Sequence, residues 1–265
     1  MTTAIIGAGV MGETLLSGLL RAGVPKSELL IADRRIERSA EVTKEHGVAN
    51  GTNQEVSAKA DTVVLVVKPQ DMAIVLDEIK DSLRPGTLVV SLAAGITTGF
   101  MEDLLPAKTP VIRVMPNTPA LVDQGMAAIS SGTNSTEEHL VTVETLLRSV
   151  GQVVRVPEKY QDAVTAISGS GPAYIFYVVE AMIEGGVMLG LPRDVANELV
   201  LQTVYGAATM LRETKEHPTV LREQVTSPGG TTVAALRQFD DFKVRAAFLS
   251  AMEAARDRSR ELGQQ

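Results

Sequence analysis

Short apolar segments alternate with amphipathic segments over the first 155 or so residues of the chain. Seven runs rich in aliphatic and β-branched residues are predicted to be strands: residues 3–6, 29–32, 62–67, 88–91, 111–115, 127–130 and 152–156. Four segments between them carry helical spacing and are predicted to be helices: residues 11–22, 37–46, 71–82 and 136–149. Continuous apolar strands that alternate with helices favour a mainly parallel sheet covered on both faces. The pattern therefore predicts a doubly wound α/β domain.

After about residue 158 the strand pattern stops and only helical spacing continues. The predicted helices are residues 174–189, 193–213, 219–224, 231–238 and 243–262, with prolines and glycines between them. The first of these is apolar nearly all round, so it must be buried within its domain or against a partner. We therefore predict two domains, residues 1–157 and an all-helical domain at 158–265, with the helical domain forming an intimate homodimer.

A glycine-rich turn, Gly7-Ala8-Gly9-Val10-Met11-Gly12, lies between the first strand and the first helix. Its first glycine allows a tight turn, the second lets a pyrophosphate approach the backbone, and the third lets the helix pack closely on the strand. The helix start offers unpaired N–H groups to the anion. An acidic residue, Asp33, ends the second strand where the dinucleotide fingerprint expects one. The first domain is therefore predicted to be Rossmann-like and to bind NAD(P).

The residues after the second strand leave the choice between NADPH and NADH open. Asp33 would accept hydrogen bonds from the ribose hydroxyls and repel a 2′-phosphate, which favours NADH. Arg34 and Arg35 could instead bind that phosphate, or could be solvated residues at a helix start. We expect NADPH, with NADH as the alternative.

Two further loops follow predicted strands at the edge of the sheet where such folds bind ligands. Lys68-Pro69 follows the third strand, and Asn117-Thr118-Pro119 follows the fifth. The Asn117 amide could reach the nicotinamide end of the cofactor. The alternative for each loop is an ordinary strand-ending turn, since proline and asparagine are common turn residues.

The segment Val225-Thr226-Ser227-Pro228-Gly229-Gly230-Thr231-Thr232 precedes the predicted helix at 231–238. Glycines expose backbone N–H groups, and a helix start leaves those groups unpaired. The segment therefore suits a carboxylate, with the hydroxyls of Ser227, Thr231 and Thr232 beside Gly230. The alternative is a simple N-cap, which Ser and Thr often supply.

A second glycine-rich turn, Ser168 to Tyr174, leads into the most apolar helix and could serve either packing or ligand contact. His217, beside Pro218, is more typical of a loop than of a catalyst. The absence of lysine and histidine from residues 161–214 argues against removal of a proton from an alcohol. Reduction of a C=N bond needs no such base, because hydride addition neutralises a protonated imine.

Composition and charge exclude several classes of function. The net charge is −7 and the basic residues are scattered, so no nucleic-acid partner is expected. There are no cysteines, and no cluster of metal ligands is recognisable, so we expect neither a disulfide nor a metal. We also expect no membrane partner and a cytoplasmic location, since the start lacks a signal-like segment and no apolar run of about 18 residues occurs.

Together these segments resemble the Δ1-pyrroline-5-carboxylate reductases. The resemblance rests first on residues 221–236, LREQVTSPGGTTVAAL. It extends through further blocks in order along the whole chain: GAGVMG at 7–12, VKP at 67–69, AAG at 93–95, MPNTP at 115–119, SGSGPAY at 168–174, GLP at 190–192 and HP at 217–218.

The resemblance implies reduction of Δ1-pyrroline-5-carboxylate to L-proline by NADPH or NADH, the last step of proline biosynthesis. It implies helical domains that intertwine into dimers, which often assemble further. The backbone around Gly230, Thr231 and Thr232 would bind the substrate carboxylate, and the Thr232 hydroxyl would bond the ring nitrogen. The residues implied to line the cofactor are Ile6, Gly7, Ala8, Gly9, Val10, Met11, Gly12, Arg34, Asn53, Val67, Lys68, Pro69, Ala94, Asn117 and Gln224.

Three alternatives remain open at this point. A β-hydroxyacid dehydrogenase would carry a catalytic lysine on the long helix after the second glycine-rich turn, where this chain has none. A regulatory protein that binds the cofactor without catalysis is a second alternative. The third is an enzyme for a related six-membered cyclic imine. Asp33-Arg34 departs from the small or hydroxyl residues common in the family, which bears on the choice of cofactor.

Overall fold

The structure, a computed structural model, describes residues 1–263. By contacts the chain divides into two compact units, one formed by Met1–Ser170 with the chain from Ala255 on, and the other by Gly171–Ala254. The division falls later than the predicted boundary at 157/158 because residues after 157 pack on the sheet. Gln161, fully buried, donates to the Ala128 carbonyl at 3.3 Å and to Ser130 Oγ at 2.8 Å. Residues 264 and 265 of the predicted second domain lie outside the described residues.

The first unit contains an eight-stranded sheet in the order β3-β2-β1-β4-β5-β6-β7-β8. The strands are β1 Thr3–Ile6, β2 Leu29–Ala32, β3 Ala49–Asn50, β4 Thr62–Leu65, β5 Leu88–Ser91, β6 Val111–Met115, β7 Gly125–Ser131 and β8 Gly151–Arg155. All neighbours pair in parallel except β6 and β7, which are antiparallel. The predicted doubly wound α/β class is confirmed. The order reverses beside β1, so the carboxyl ends of β1 and β4 flank the crevice where such sheets bind ligands.

Alternate side chains of the buried strands build two apolar layers, one on each face of the sheet. Ile5, Ile31 and Val64 point into one layer, and Ile6, Val63 and Leu65 into the other. None of them exposes more than 1% of its surface. The layers are covered by helices, as the continuous apolar strands predicted.

The helices of the first unit are α1 Val10–Arg21, α2 Ile36–His46, α3 Asn53–Ser57, α4 Met72–Ile79, α5 Thr98–Leu104, α6 Glu137–Arg148 and α7 Gln161–Val164. Four short elements were not predicted from the sequence: β3, α3, α5 and the four-residue α7. Strand β3 has two residues, too few to show a period, and α3 and α5 are short. Both helices nevertheless begin at a threonine whose hydroxyl accepts a backbone N–H, Thr52 from Glu55 and Thr97 from Phe100.

The predicted strand at 62–67 was too long, since β4 ends at Leu65. Val66 still donates its N–H to the Ile6 carbonyl at 2.8 Å. Its own carbonyl then lies against Gly7, where the chain turns. The two extra apolar residues therefore belong to the ligand-binding edge and not to the strand.

The second unit is helical, as predicted, with α8 Gly171–Met188, α9 Arg193–Thr214, α10 Pro218–Gln224 and α11 Thr231–Asp241, and with α12 Val244–Leu262 beginning within it. All 18 residues of α8 are described, and none of them is buried within this single chain. Tyr177 of α8 is 75% exposed and Tyr205 of α9 is 69% exposed. An apolar surface of this extent in a folded protein indicates an interface.

Residues Glu158–Met188 form a helical stretch long and apolar enough to cross a membrane by length and composition alone. The stretch includes Glu180 and Glu184, and a helix from the core of an oligomer passes the same test. The expectation of no membrane partner stays a prediction.

Candidate active site

The glycine-rich turn after β1 has the geometry that each glycine was predicted to provide. Gly7 has a φ of 104°, and a Cβ there would collide with the Val66 carbonyl. A Cβ at Gly12 would collide with the Gly7 carbonyl, so Gly12 lets α1 pack against the turn. No atom lies within 4 Å of the position that a Cβ would take at Gly9. The backbone at Gly9 is therefore open to close approach by a ligand.

Helix α1 begins at this turn without a side-chain cap. Gly9 is the N-cap and makes no side-chain hydrogen bond, and its carbonyl accepts the Glu13 N–H at 2.9 Å. The amides of the first turn, at Val10, Met11 and Gly12, are thus available to an anion together with the positive end of the helix dipole.

A cleft of about 280 Å³ lies at the carboxyl edge of β1, β2 and β4. Its lining includes seven of the predicted cofactor residues: Ile6, Gly7, Gly9, Arg34, Asn53, Val67 and Lys68. The lining also contains Asp33 and Arg35, which the sequence analysis discussed, and Val66, Asp71 and Val75, which it missed. Residues 71 and 75 belong to the segment after β4, and only the fold brings that segment beside β1.

Asp33, just after β2, is part of the cleft lining, but its carboxylate is turned towards Ala8 and Arg35. Its side chain is 8% exposed. One carboxylate oxygen accepts the Ala8 N–H at 2.9 Å, and the other accepts the Arg35 N–H at 2.9 Å and Arg35 Nε at 3.2 Å. Burial tends to raise the pKa of Asp33, but the hydrogen bonds from Arg35 and Ala8 outweigh it and hold the pKa below its ordinary value.

Three polar residues of the cleft lining, Arg34, Asn53 and Lys68, are held loosely. The Arg34 side chain is 74% exposed and approaches the Asp71 carboxylate at 3.4 Å. Asn53, the first residue of α3, donates from Nδ2 to Glu78 at 2.7 Å. Lys68 is exposed at the end of the loop after β4. These side chains can rearrange around an anionic ligand without breaking a buried contact.

A charged cluster that the sequence analysis missed supports the glycine-rich turn from α2. Arg38 donates from Nε to the Ala8 carbonyl at 2.8 Å and forms an ion pair with Glu13 of α1. His46 Nε2 lies 3.2 Å from the same Glu13 carboxylate. Glu13, Glu45 and His46 place potential metal-binding atoms within 4.8 Å of one another. Because the Glu13 carboxylate already forms an ion pair with Arg38, the cluster is better explained as support for the turn. The absence of a metal stays a prediction.

The side-chain amide of Asn117, after β6, makes a hydrogen bond at each end. Nδ2 donates to the Ser168 carbonyl at 3.0 Å, and Oδ1 accepts the Met126 N–H at 2.8 Å. The amide thereby joins the loop after β6 to β7 and to a π-helical turn at Thr165–Gly169. These two bonds leave one Nδ2 hydrogen and one Oδ1 lone pair, so the expectation that this amide reaches the nicotinamide stays a prediction.

The Ser227–Thr232 segment of the helical unit forms an uncapped helix start. Gly229 has a φ of 69°, and Gly230 is the N-cap of α11 with no side-chain hydrogen bond. A Cβ at Gly230 would meet Ser227 Oγ, so the serine side chain would have to rotate away to make room for it. Thr231 is exposed and Thr232 is half-buried. Because none of the hydroxyls caps α11, the helix-start amides are left for a ligand.

Two other candidates from the sequence have structural roles. His217 is the N-cap of α10, where its Nδ1 accepts the Thr219 N–H at 3.3 Å. In the second glycine-rich turn a Cβ at Gly169 would approach Met115 Cε to 2.5 Å, whereas no atom lies within 4 Å of a Cβ at Gly171. Gln224 is exposed at the end of α10, and Ala94 is exposed in the loop after β5.

A doubly wound sheet with an open glycine-rich turn and a basic cleft at its switch point, followed by a helical unit, defines an NAD(P)-dependent oxidoreductase. Family models agree with this class in both halves of the chain. Residues 2–95 match the model described as NADP oxidoreductase coenzyme F420-dependent, and residues 158–262 match the model described as pyrroline-5-carboxylate reductase dimerisation.

The chain belongs to the pyrroline-5-carboxylate reductase family. It is 46% identical to the pyrroline-5-carboxylate reductase of Corynebacterium melassecola over 99% of this chain and 98% of the relative. It is similar to a solved pyrroline-5-carboxylate reductase from Coxiella burnetii, with a TM-score of 0.94, 36% identity and 98% of each chain covered. A Plasmodium falciparum pyrroline carboxylate reductase solved with NADP bound gives a TM-score of 0.87 at 29% identity, covering 99% of this chain and 98% of that one. The predicted family and fold are confirmed, and the β-hydroxyacid dehydrogenase alternative is left without support.

Proposed function

We propose that this protein reduces the C=N bond of Δ1-pyrroline-5-carboxylate to give L-proline, the last step of proline biosynthesis, with NADPH as the hydride donor. The observation that carries the proposal is the uncapped start of α11 at Gly230, in a chain whose relatives carry this name over nearly their whole length. The amides of Thr231 and Thr232 suit the substrate carboxylate, with the Ser227 hydroxyl beside them.

The reaction adds a hydride to the imine carbon and leaves the ring nitrogen as an amine. NADPH, when bound, supplies that hydride and becomes NADP⁺. The Thr232 hydroxyl hydrogen-bonds the ring nitrogen and so fixes the ring, while the carboxylate site at Gly230 holds its other end. The protonated imine carries the positive charge that the hydride neutralises, so the protein must orient the ring and exclude water.

The cofactor site is proposed to lie in the cleft beside β1. The amides from Gly9 to Gly12 suit the pyrophosphate, since Gly9 is open and α1 is uncapped, and Ala8, whose N–H is accepted by Asp33, borders the same turn. Arg34 suits the 2′-phosphate, and Asn53, Val67, Lys68 and Pro69 border the same cleft or the loop after it. We place Ala94, Asn117 and Gln224 near the nicotinamide end. NADH is the alternative donor.

The helical domain, residues 158–265 of the predicted division, is proposed to bind substrate and to form a homodimer, with dimers assembled into a larger homo-oligomer. The exposed apolar surface of α8 and α9 and the match to a dimerisation model support the dimer. We further propose a cytoplasmic location, and a small-molecule partner without nucleic acid or membrane.

The test is an assay of the purified protein that follows NADPH and NADH oxidation separately, with and without Δ1-pyrroline-5-carboxylate. We expect oxidation that depends on the imine, forms L-proline in equal amount and is faster with NADPH. Binding of NADPH without imine-dependent oxidation would contradict the proposal and favour a cofactor-binding regulator. Faster reduction of a six-membered cyclic imine carboxylate would replace the substrate but keep the reaction.

A further inference from the structure

The place of Asp33 in the sequence and the contacts of its side chain indicate different roles. An acidic residue at the end of the second strand normally binds the ribose hydroxyls of NAD and repels the 2′-phosphate of NADP. The Asp33 side chain is only 8% exposed, and both of its oxygens accept hydrogen bonds from Ala8 and Arg35. A ribose would have to displace these bonds to reach the carboxylate.

The Arg35 side chain is anchored by this carboxylate. Its Nε–H donates to Asp33 Oδ1 at 3.2 Å, and the side chain remains 60% exposed at the lining of the cleft. Within residues 1–263 its two terminal nitrogens have no hydrogen-bond partner. A guanidinium held at Nε keeps both terminal nitrogens for a phosphate, in the planar fork that phosphate oxygens match.

The charge of Asp33 is therefore opposed by a guanidinium in direct contact with it. Arg34 and Lys68 add two more cationic groups to the same lining, and the only other acidic residue there is Asp71. The rim of the cleft is thus cationic although an acidic residue stands at its NAD-type position.

We propose that Asp33 is a positioning residue that holds Arg35 at the cleft for the 2′-phosphate, so that here an acidic residue favours NADPH over NADH. This inference rests on the proposed dinucleotide site. It does not depend on the identity of the imine, and it assigns to Asp33 the opposite effect from the one its position in the sequence suggests.

The test is a fluorescence titration of NADPH and NADH, without imine, into the wild-type protein and the Asp33→Asn variant. We expect Asp33→Asn to weaken NADPH binding by about tenfold, the loss of a charge-assisted contact, and NADH binding by less than about threefold. Tighter NADPH binding by Asp33→Asn, with weaker NADH binding, would overturn the proposal, since a ribose acceptor predicts that result.

A double-mutant cycle separates positioning from a general effect on the glycine-rich turn. Arg35→Ala should weaken NADPH binding as much as Asp33→Asn does. The double variant should bind NADPH only slightly more weakly than either single variant, because both changes disrupt the same Asp33–Arg35 pair. Arg34→Ala is the matched control: it should also weaken NADPH more than NADH, but its effect should add to that of Asp33→Asn. The proposal would also be overturned if Asp33→Asn weakened NADPH and NADH binding equally and this loss added to the loss caused by Arg35→Ala.

Arg35 is exposed, so Arg35→Ala tests the proposal even if Asp33→Asn fails to fold. Unchanged NADPH binding by Arg35→Ala would be sufficient to reject it. These titrations need no turnover, so a protein that binds NADPH but does not reduce Δ1-pyrroline-5-carboxylate would contradict the proposed function while leaving this inference testable.

Discussion

At the scale of single residues, the two ends of the proposed chemistry use backbone more than side chains. Gly9 and Gly230 both stand at helix starts that no side chain caps. In each case the fold leaves amide groups unpaired, which suits one anion in each half of the chain. The side chain on which we expect the reaction to depend most is Thr232, because it is the hydroxyl that we place at the ring nitrogen.

Thr232→Ala should lower kcat and kcat/KM for the imine by about tenfold to a hundredfold, the effect of one lost hydrogen bond to a charged centre of roughly 1.5–3 kcal/mol. Thr232→Ser keeps the hydroxyl and should retain most of the rate. Steady-state kinetics of the two variants with wild-type protein provide the measurement. Unchanged kinetics in Thr232→Ala would remove this residue from the mechanism.

The lowered pKa of Asp33 predicts a dependence of stability on pH. A carboxyl whose pKa is lower in the folded state stabilises the fold above its unfolded pKa, and this stabilisation is lost as the pH falls through the folded value. The ordinary value is 3.8, and the folded value lies below it. Urea unfolding of wild type and Asp33→Asn should therefore differ at pH 6 and converge as the pH falls below about 4. A difference that grew towards acid pH would contradict the assignment.

At the scale of elements, the carboxyl edge of the sheet is held together by side chains from loops. Arg38 of α2 donates to the Ala8 carbonyl of the glycine-rich turn. Asn117 connects the loop after β6 to β7 and to the π-helical turn. These contacts connect each loop to a neighbouring element of the same unit. The two bonds of Asn117 hold its amide between the loop after β6 and its neighbours.

Asn117→Ala should lower the free energy of unfolding by about 1–3 kcal/mol, since it leaves two half-buried backbone groups without their partner. Asn117→Asp is the informative control. Its carboxylate can still accept the Met126 N–H but cannot donate to the Ser168 carbonyl, so it should lose the contact to the π-helical turn selectively. Chemical unfolding and hydrogen exchange at residues 165–170 would measure both effects. Equal protection of this turn in all three proteins would refute the connection.

Element prediction from the sequence succeeded where the segments were long and periodic, and failed where they were short. The predicted bounds of β1, β2, β5 and β6 agree with the structure. Strand β3 and helices α3 and α5 were missed because two to seven residues show no period, although Thr52 and Thr97 offered capping signals. Val66 and Val67 were assigned to a strand because they continue the apolar run of β4. Their apolar character alone does not show that they face the Gly7 turn.

At the scale of the whole molecule, a single chain leaves large apolar side chains of α8 and α9 exposed. Phe176, Tyr177 and Tyr205 expose more than half of their surfaces on α8 and α9. Aromatic residues of this size make large contributions to interfaces. The dimer is therefore expected to be part of the stability of the helical unit and not a later association of finished subunits.

Tyr177→Glu should shift the protein from dimer towards monomer, because a charge would be buried in an apolar interface. Analytical ultracentrifugation over a range of concentrations would measure the shift. Val141→Lys, a change at an exposed apolar residue of α6 in the first unit, is the control and should leave the association state unchanged. A dimer of undiminished affinity in Tyr177→Glu would place the interface elsewhere.

The sequence by itself determined the class of the fold, the glycine-rich turn, the family and the helix start at Gly230, because each depends on local spacing or on backbone requirements that only certain residues meet. The tertiary structure decided what the polar side chains do. It turned Asp33 inward onto Ala8 and Arg35, committed Asn117 to Ser168 and Met126, and brought Asp71 and Val75 beside β1. Hydrogen-bond partners distant in sequence compete with a ligand for the same side chain, and only the packed chain decides which of them is within reach.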